Sequence, residues 1–438
     1  MKKKGSAVIF KAMRRRPTYS VRLRAYFKRN AVVFVSTYNH FLQVVIFRLR
    51  AYFKRDQKKP LWKRVWNKGR GISDLVLFPF TLLASIYGLS CRLRIFLYEK
   101  GVLPRKRAGC YVISIGNLTV GGTGKTPFTI YLAEKWKEKG YTIGIVSRGY
   151  GGNYRERRNL ALQGLFYKEP VVLVSDGTTL LEKVASVGDE PYLMAERLSG
   201  VPIVVSADRF KGCQWLIEHF KVDVILLDDG FQHLRLHRDL NLLLVDATNP
   251  FGNGCLLPRG SLREPVSEVR RADLVIFTRS ENGSDATEWI SEIERLGRPC
   301  LRSTFQPTRL IQLNTGSVRP LSDLKNRPVL SFCGIGNPDS FVHLLTLLGA
   351  EIKERMVFSD HYSYQASDWA KIKKKVAETG VQWVVTTEKD AVKIKDFLPA
   401  DFEIWVLRVE VVFREGAEKW ESLLFQKKER SLLQRVGR

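Results

Sequence analysis

The chain has few cysteines, almost no acidic residues near its N-terminus and no long uninterrupted apolar run. Its six cysteines are scattered over 438 residues without a C-x-x-C pair, which argues against a zinc ribbon or a disulfide scaffold and fits a reducing cytosol. A multi-span membrane protein is excluded, because each span needs about 20 predominantly apolar residues. A cleaved signal peptide is not expected either, since the apolar stretch at residues 7–10 ends at Lys11.

The shortage of acidic residues makes the N-terminal arm strongly basic. The first 70 residues hold 21 Lys/Arg against a single acid, Asp56, so most of the formal net charge of +28 lies there. Such an excess favours polyanionic partners, either acidic lipid headgroups or nucleic acid. The simplest interpretation of residues 1–61 is a poorly ordered basic extension, and the alternative is an anchor to an anionic membrane surface.

An uncharged run, residues 75–91, shows helical periodicity. Large apolar residues recur every three or four positions and therefore share one face of a helix. This face comprises Leu75, Phe78, Leu82, Ile86, Leu89, Leu93 and Leu97. The run is short for a span and contains Pro79, so it predicts a helix that lies in, or dips into, the membrane interface. The alternative is a helix packed on the next domain.

From about residue 110, short runs rich in Val and Ile alternate with helical stretches. This pattern is typical of buried parallel strands in an α/β fold. The predicted strands cover residues 111–115, 143–147, 203–206, 224–227, 242–245 and 274–277, followed by 329–332, 356–358, 383–386 and 404–407. Residues 281–327 are less regularly patterned, and we expect the boundary between a larger and a smaller α/β domain there.

The strongest local motif is a glycine-rich loop between a predicted strand and a predicted helix at residues 128–139. Glycines let backbone amides curl around phosphate oxygens, and the new helix directs its N-terminal dipole at the same charge. The pattern predicts that Lys125 contacts the β- and γ-phosphates and that the Thr126 hydroxyl binds Mg²⁺. Its first position is Thr, where the common G-x-x-x-x-G-K-[ST] pattern has Gly. The predicted nucleotide-binding residues are Thr119, Val120, Gly121, Gly122, Thr123, Gly124, Lys125 and Thr126.

A nucleotide loop also needs a metal-holding carboxylate at the end of a neighbouring strand. The stretch at residues 222–230 supplies one, because four apolar residues lead into Asp228 and Asp229. An acid pair in this position is more often a cap or a turn, but the glycine loop upstream favours a metal site. We therefore predict a P-loop NTPase-like parallel sheet with a second, smaller α/β domain.

Five segments follow from these patterns. They are a basic N-terminal extension (1–61), an amphipathic membrane-associating helical segment (62–100), a P-loop domain (101–285), a smaller α/β domain (286–415) and a charged C-terminal tail (416–438). No oligomeric state is predicted.

Eleven motifs in order resemble those of the tetraacyldisaccharide 4′-kinases, the lipid A 4′-kinases of Gram-negative bacteria. The resemblance extends from about residue 62 to about residue 412, and it leaves the basic extension out. The motifs are Gly116-Asn-Leu-Thr-Val-Gly-Gly-Thr-Gly-Lys-Thr-Pro127, Ser147-Arg-Gly-Tyr-Gly-Gly152, Gly188-Asp-Glu-Pro191, Ala207-Asp-Arg209, Asp228-Asp-Gly-Phe-Gln-His233, Gly252-Asn-Gly254, Leu257-Pro258, Leu262-Arg-Glu-Pro265, Gly334-Ile-Gly-Asn-Pro338, Asp360-His361 and Thr387-Glu-Lys-Asp390.

The resemblance implies transfer of the ATP γ-phosphate to the 4′-hydroxyl of a tetraacylated glucosamine disaccharide 1-phosphate. It implies Mg²⁺ as cofactor, the cytoplasmic face of the bacterial inner membrane as the place of reaction, and a nucleotide site in a cleft between two hinged domains. In the family, the aspartate of the Gly-Asp-Glu-Pro motif is the proposed base and works with the histidine of the Asp-His motif. These positions are Asp189 and His361 here. Without the resemblance, Asp189 is interpreted as a helix cap and His361 as a structural residue.

Three further charged residues are candidates for the phosphate and metal site. Arg209 and Arg263 are candidate cations for the phosphates, Glu264 is a candidate metal or substrate contact, and ordinary surface ion pairs are the alternative for all three. The Thr387-Glu-Lys-Asp390 motif does not match the guanine-reading N-K-x-D register, so GTP is not expected.

A nucleic-acid-stimulated P-loop ATPase is the alternative function suggested by the arm, although no nucleic-acid-binding fold is recognised and no nucleic acid partner is expected. A membrane-bound nucleotide sensor without catalysis is a further alternative.

Overall fold

A computed structural model of the chain describes residues 72–153, 171–280, 286–395, 403–414, 420–421 and 424–429. The interpretations given for the basic extension, 1–61, lie outside these described residues. The described residues fall into two units, one with residues 89–104 and the other with residues up to 88 and from 105 onward. Every strand and every site residue discussed below belongs to the second unit.

Strands and helices alternate along most of the described chain. The strands are β1 (Tyr111–Gly116), β2 (Ile143–Ser147), β3 (Val172–Ser175), β4 (Ile203–Val205), β5 (Val224–Asp228), β6 (Leu240–Asp246), β7 (Leu274–Thr278), β8 (Cys300–Gln312), β9 (Val318–Arg319), β10 (Pro328–Cys333), β11 (Glu351–Val357), β12 (Trp383–Thr387) and β13 (Ile404–Phe413). The α-helices are α1 (Ile72–Glu99), α2 (Lys125–Glu138), α3 (Val184–Val187), α4 (Asp189–Arg197), α5 (Arg209–Phe220), α6 (Thr287–Arg295), α7 (Pro338–Leu347), α8 (Ala366–Thr379) and α9 (Glu388–Ile394). Short 3₁₀ helices cover Val266–Arg271 and Leu321–Leu324.

These strands form one mostly parallel sheet in the order β11-β10-β12-β13-β8-β7-β6-β1-β5-β2-β4-β3, with β9 paired to β8. β1 pairs in parallel with β5 and with β6. Ile115 is the register partner of Asp228, so the loop after β1 and the acids at the end of β5 leave the sheet at the same edge. Ligands bind at this carboxyl-end edge in open α/β sheets.

Two lobes share the sheet. The first lobe contains β1 to β7 and the second contains β10 to β12 with helices α7 to α9. The long strands β8 and β13 connect them, because β8 pairs with β7 at its start and then runs antiparallel to β13 along most of its length. The predicted α/β class, with a P-loop-type parallel sheet and a smaller second α/β section, is confirmed.

Both sides of the first-lobe sheet are covered by apolar side chains. Phe128 and Trp136 of α2 are completely buried on one side, together with Ile113 and Ile115 of β1. Trp420, which lies in the segment predicted as a charged tail, is buried in the same cluster. This packing fixes α2, and therefore the loop that precedes it, against β1.

Helix α1 exposes the apolar face that its periodicity marks out. Phe78, Leu82, Ile86, Leu89 and Leu93 are each between 45% and 66% exposed. Its buried positions, Leu77, Ala84, Cys91 and Ile95, lie on another face. Within the described residues this helix is long and apolar enough to cross a membrane, by length and composition alone. The membrane contact expected of this face stays a prediction.

Candidate active site

The glycine loop after β1 adopts the turn conformations that its glycines permit. Gly121 and Gly124 have φ values of 124° and 81°, in the region that L-residues avoid. Gly124 is the residue before α2, and a Cβ there would lie 2.1 Å from the Phe305 ring. Within the described residues, no hydrogen bond uses the amides of residues 121–124 as donors. These amides stand at the start of a 14-residue helix, where the helix dipole favours a phosphate group.

Lys125, the first residue of α2, is held among polar groups at the loop. Its Nζ lies 3.2 Å from Oδ1 of Asn117 and 3.6 Å from Oδ1 of Asp229. Arg263 donates to both oxygens of the Asp229 carboxylate, at 2.9 and 2.8 Å. Although burial raises the pKa of Asp229, Arg263 and Lys125 outweigh it and hold that pKa well below its usual range. Two cations and one carboxylate therefore leave a net positive charge where phosphates would bind.

Asp228, the last residue of β5, has the opposite electrostatic environment. Its side chain is buried, and Ser147 donates to its Oδ2 at 2.9 Å. Burial raises the pKa of Asp228 to about 7, with further contributions from Glu190 and Asp229. Its Oδ1 is buried and has no hydrogen-bond partner among the described residues. A buried carboxylate oxygen without a donor is a suitable ligand for a hard cation.

The four residues predicted to bind metal differ in their availability. The carboxylate of Asp228 and the hydroxyl of Thr126 are hard oxygen donors of the kind that Mg²⁺ accepts alongside phosphate and water. Asp229 and Glu264 are engaged by Arg263 and by Arg271, respectively. No cluster of three or more His, Cys, Asp or Glu suited to a metal occurs in the described part of the chain. The residues present thus fit a cation completed by substrate phosphates, and the metal roles of Asp229 and Glu264 remain predictions.

The structure brings Asp189 and His361 together across the two lobes. Asp189 is the first residue of α4, and Nδ1 of His361 lies 2.9 Å from its Oδ1 and 3.1 Å from its Oδ2. His361 has a φ of 56°, which is a strained backbone conformation of the kind that is found most often at functional sites. Although burial raises the pKa of Asp189, the hydrogen bond from His361 and the nearby lysines lower it to about 2. Burial lowers the pKa of His361, but the Asp189 contact outweighs burial and the net pKa is raised.

Charged residues surround this pair and link it to the glycine loop. Lys389 of α9 lies 3.2 Å from Nε2 of His361 and 3.4 Å from Oε1 of Glu190. Glu190, next to Asp189, in turn contributes to the raised pKa of Asp228 at the loop. The Asp189–His361 pair and the P-loop carboxylates therefore belong to one electrostatic site.

The second lobe also contacts the loop directly. A Cβ on Gly336 would lie 2.3 Å from the amide nitrogen of Gly122. Arg279, at the end of β7, donates to the Gly122 carbonyl at 2.9 Å and to Oδ2 of Asp246 at 2.6 Å. Asn337 donates to the same Asp246 oxygen at 3.4 Å. Backbone and side chains of both lobes thus meet at Gly122.

Several of these residues carried no assigned role in the sequence interpretation. Asn117, Ser147, Glu190 and Lys389 all lie inside the quoted motifs, so motif membership was the signal that marked them. Arg279 lies outside every motif. Arg209, predicted to be catalytic, lies at the start of α5 and donates to the carbonyl oxygens of Ser206 and Ala207 at 3.2 and 3.3 Å. Its phosphate-binding role remains a prediction.

A glycine loop between a parallel strand and a helix, with a carboxylate at the end of the adjacent strand, defines a P-loop nucleotide-binding protein. The family model described as tetraacyldisaccharide-1-P 4′-kinase matches residues 75–428. The chain belongs to this family.

Individual relatives agree with that assignment. The tetraacyldisaccharide 4′-kinase of Desulfatibacillum aliphaticivorans is 37% identical, with 82% of this chain and 94% of the relative covered. The protein of the same name from Syntrophus aciditrophicus is 39% identical, with 76% and 90% covered. A crystal structure of LpxK from Aquifex aeolicus in complex with ATP has 34% identity and a TM-score of 0.63, covering 81% of this chain and 98% of that chain. None of these matches favours the nucleic-acid-stimulated ATPase.

Proposed function

We propose that the protein is a kinase that transfers the γ-phosphate of ATP to the 4′-hydroxyl of a tetraacylated glucosamine disaccharide 1-phosphate, in lipid A biosynthesis. Family membership supports the reaction. The observation that carries the proposal is the contact of Asp189 with His361 beside a P-loop whose amides donate no hydrogen bond within the described residues. The site therefore combines a phosphate cradle with a proton acceptor, as transfer to an alcohol requires.

The first part of the mechanism is charge neutralisation. Phosphoryl transfer is catalysed mostly by positioning and by compensating the charge of the phosphoryl group. The amides of residues 121–124 and the ammonium of Lys125 face that charge. Arg263, which is paired with Asp229, supplies a second cation beside them. Thr126 and Asp228 would hold Mg²⁺, which when bound neutralises phosphate charge and orients the phosphates.

The second part is removal of the hydroxyl proton. The acceptor oxygen attacks the γ-phosphorus, the bond from that phosphorus to the β–γ bridging oxygen breaks, and ADP leaves. The proton of the 4′-hydroxyl passes to the Asp189 carboxylate, which stays ionised at neutral pH because its pKa is lowered to about 2. Such a weak base suffices when the transition state is loose, since the attacking hydroxyl becomes strongly acidic only as its bond to phosphorus forms.

The third part is access to a lipid substrate. Each buried CH₂ contributes about 0.8 kcal/mol, so an acceptor with four acyl chains stays in the bilayer and the enzyme must come to it. The exposed apolar face of α1 is the element suited to that contact. We place the protein at the cytoplasmic face of the inner membrane, with α1 in the interface and anionic lipids as the surface it meets.

The test is transfer of label from γ-labelled ATP to the disaccharide lipid in mixed micelles with Mg²⁺. Lys125→Ala and Asp189→Ala should each reduce transfer by more than about 100-fold while the thermal unfolding transition is retained, because one loses phosphate charge and the other the proton acceptor. Full activity in either variant would remove that residue from the mechanism. Absence of labelled lipid with the wild-type protein would reject the proposed function.

A further inference from the structure

We infer that Lys389 is a positioning residue that fixes which nitrogen of His361 carries the proton and keeps the Asp189–His361 pair ready to accept another. The inference rests on the proposed function, because it concerns the same pair. It gives a role to the Thr387-Glu-Lys-Asp390 motif, which the nucleotide site does not use.

The Lys389 ammonium contacts Nε2 of the imidazole and also lies 3.9 Å from Oδ2 of Asp189. Its Nζ lies 3.2 Å from Nε2 of His361, whereas Nδ1 faces the Asp189 carboxylate at 2.9 Å. The same Nζ lies 3.1 Å from Oδ1 of Asp360 and 3.4 Å from Oε1 of Glu190. Three acceptors thus surround the three protons of one ammonium group, whose side chain is 18% exposed.

The chemistry of the ammonium decides the tautomer of the imidazole. Although burial lowers the pKa of Lys389, the carboxylates of Glu190, Asp189 and Asp360 outweigh burial and raise it, so the group stays charged. An ammonium donates and cannot accept, so Nε2 must be the acceptor in this contact. The imidazole proton is then on Nδ1, where it is donated to Asp189.

The charge on Lys389 also opposes a second proton on the ring. An imidazolium would direct an Nε2–H at the ammonium, and Lys389 accordingly lowers the pKa of His361 while Asp189 raises it. The other groups facing the ring are Glu190, with Oε1 4.0 Å from Nε2, Asp360, with Oδ2 3.8 Å from Nε2, and the Tyr150 ring, 4.9 Å away between centroids. Lys393 adds positive charge 3.9 Å from Asp189.

This arrangement matters for proton transfer. A neutral imidazole beside a carboxylate can take up one proton from the substrate hydroxyl, whereas an imidazolium–carboxylate pair already holds it. Lys389 therefore shifts the active, unprotonated pair toward lower pH. Removal of its charge should raise the pKa of His361 and move the acidic limb of the pH–kcat/KM profile to higher pH.

The kinetic test uses Lys389→Met, which removes the charge at similar side-chain length. The acidic limb of the pH–kcat/KM profile should move to higher pH by about one unit, so that kcat/KM on the acidic side of the limb falls about tenfold. Above pH 9, kcat/KM should lie within about threefold of the wild-type value. Lys389→Arg, which keeps the charge, should leave the limb in place. As matched control, Lys395→Met removes a different ion pair between the lobes, Lys395 with Glu196 at 3.0 Å, and should not move the limb.

A spectroscopic test on the wild-type protein stands apart from activity and from the folding of any variant. With ¹⁵N-labelled histidine, the His361 signal, assigned by its absence in His361→Gln, should show a protonated Nδ1 and an unprotonated Nε2 at pH 8.5. The reverse tautomer, or a limb that Lys389→Met leaves unmoved in a folded variant, would overturn the inference. If the wild type phosphorylates no lipid, the proposed function fails, while the tautomer result still decides the role of Lys389.

Discussion

At the scale of single residues, two adjacent aspartates at the end of β5 behave differently because their neighbours differ. Asp229 sits between Arg263 and Lys125 and is strongly acidic, whereas Asp228 is buried and, within the described residues, accepts a hydrogen bond from Ser147 alone. The pKa of Asp228 is raised to about 7 by burial and by the negative charges of Glu190 and Asp229. Ionisation of Asp228 at neutral pH therefore lowers the folding stability of the protein without nucleotide.

This difference predicts a pH-dependent effect of Asp228→Asn on stability. A carboxyl whose folded pKa is raised contributes stability below its unfolded pKa of about 3.9, and that stability is lost as pH rises through about 7. The free energy of unfolding of the variant, relative to that of the wild type, should therefore increase between pH 5 and pH 8, by on the order of 1.4 kcal/mol for each pH unit from 5 to about 7. Urea unfolding without nucleotide at both pH values measures this gain.

Asp339, whose side chain is 82% exposed, provides the control. Asp339→Asn should change stability by nearly the same amount at both pH values. If the stability difference between Asp228→Asn and the wild type did not change with pH, the buried ionisable state of Asp228 would be refuted.

At the scale of elements, we propose that α1 brings the protein to its lipid substrate. Burying one Leu or Ile side chain away from water contributes about 1.5–3 kcal/mol. Leu82→Glu with Ile86→Glu removes two such side chains from the exposed face, so binding to vesicles that contain anionic lipid should weaken by more than about tenfold. Vesicle co-sedimentation of the full chain measures this change.

A matched variant separates apolar contact from added negative charge. Thr81→Glu with Ser85→Glu places the same two charges at exposed polar positions of the same helix. It should retain vesicle binding within about threefold. Equal losses for both pairs would show that charge, and not the apolar face, governs the contact.

The elements also show how far the sequence determines the fold. Val- and Ile-rich runs identified β1, β2, β5, β6 and β7, because strands buried on both faces are nearly continuous apolar runs. β8 was not predicted, since most of its 13 positions are only partly buried or exposed and Pro307 interrupts it. Its ladder with β13 depends on residues about a hundred positions away, which no local pattern reveals.

The same limit applies to the site. The loop at residues 119–126 and the acid pair at 228–229 were predicted from local patterns, because strand, loop and helix follow one another in sequence. The contact of Asp189 with His361 was expected only from the family resemblance, since 172 residues separate them. Lys389 and Arg279 act through contacts between distant segments, and their roles emerge only when the lobes are placed together.

At the scale of the whole molecule, the two lobes meet backbone to backbone at the glycine loop. A Cβ on Gly336 would lie 2.3 Å from the Gly122 nitrogen, and no side-chain rotation can relieve such a clash. Gly336→Ala should hold the second lobe, and with it His361, away from the P-loop. We expect kcat to fall by more than about tenfold and the free energy of unfolding to fall by about 1–3 kcal/mol.

The control for this prediction is Gly109→Ala, whose Cβ would meet the Ile217 side chain at an ordinary contact distance of 3.8 Å. It should leave kcat unchanged. Wild-type kcat in a folded Gly336→Ala variant would mean that the contact between the lobes is not needed for turnover.

We propose that the reaction is phosphate transfer to a sugar alcohol at the membrane, carried out by a P-loop in one lobe and a proton acceptor completed by the other. Its most direct test identifies the product formed from γ-³²P-ATP and the tetraacyldisaccharide 1-phosphate, with the position of the new phosphate determined by ³¹P–¹H correlation NMR. We predict one new phosphomonoester, coupled to the proton at the 4′ carbon. Release of inorganic phosphate alone, or a phosphate at any other position, would show that the protein does not catalyse this transfer.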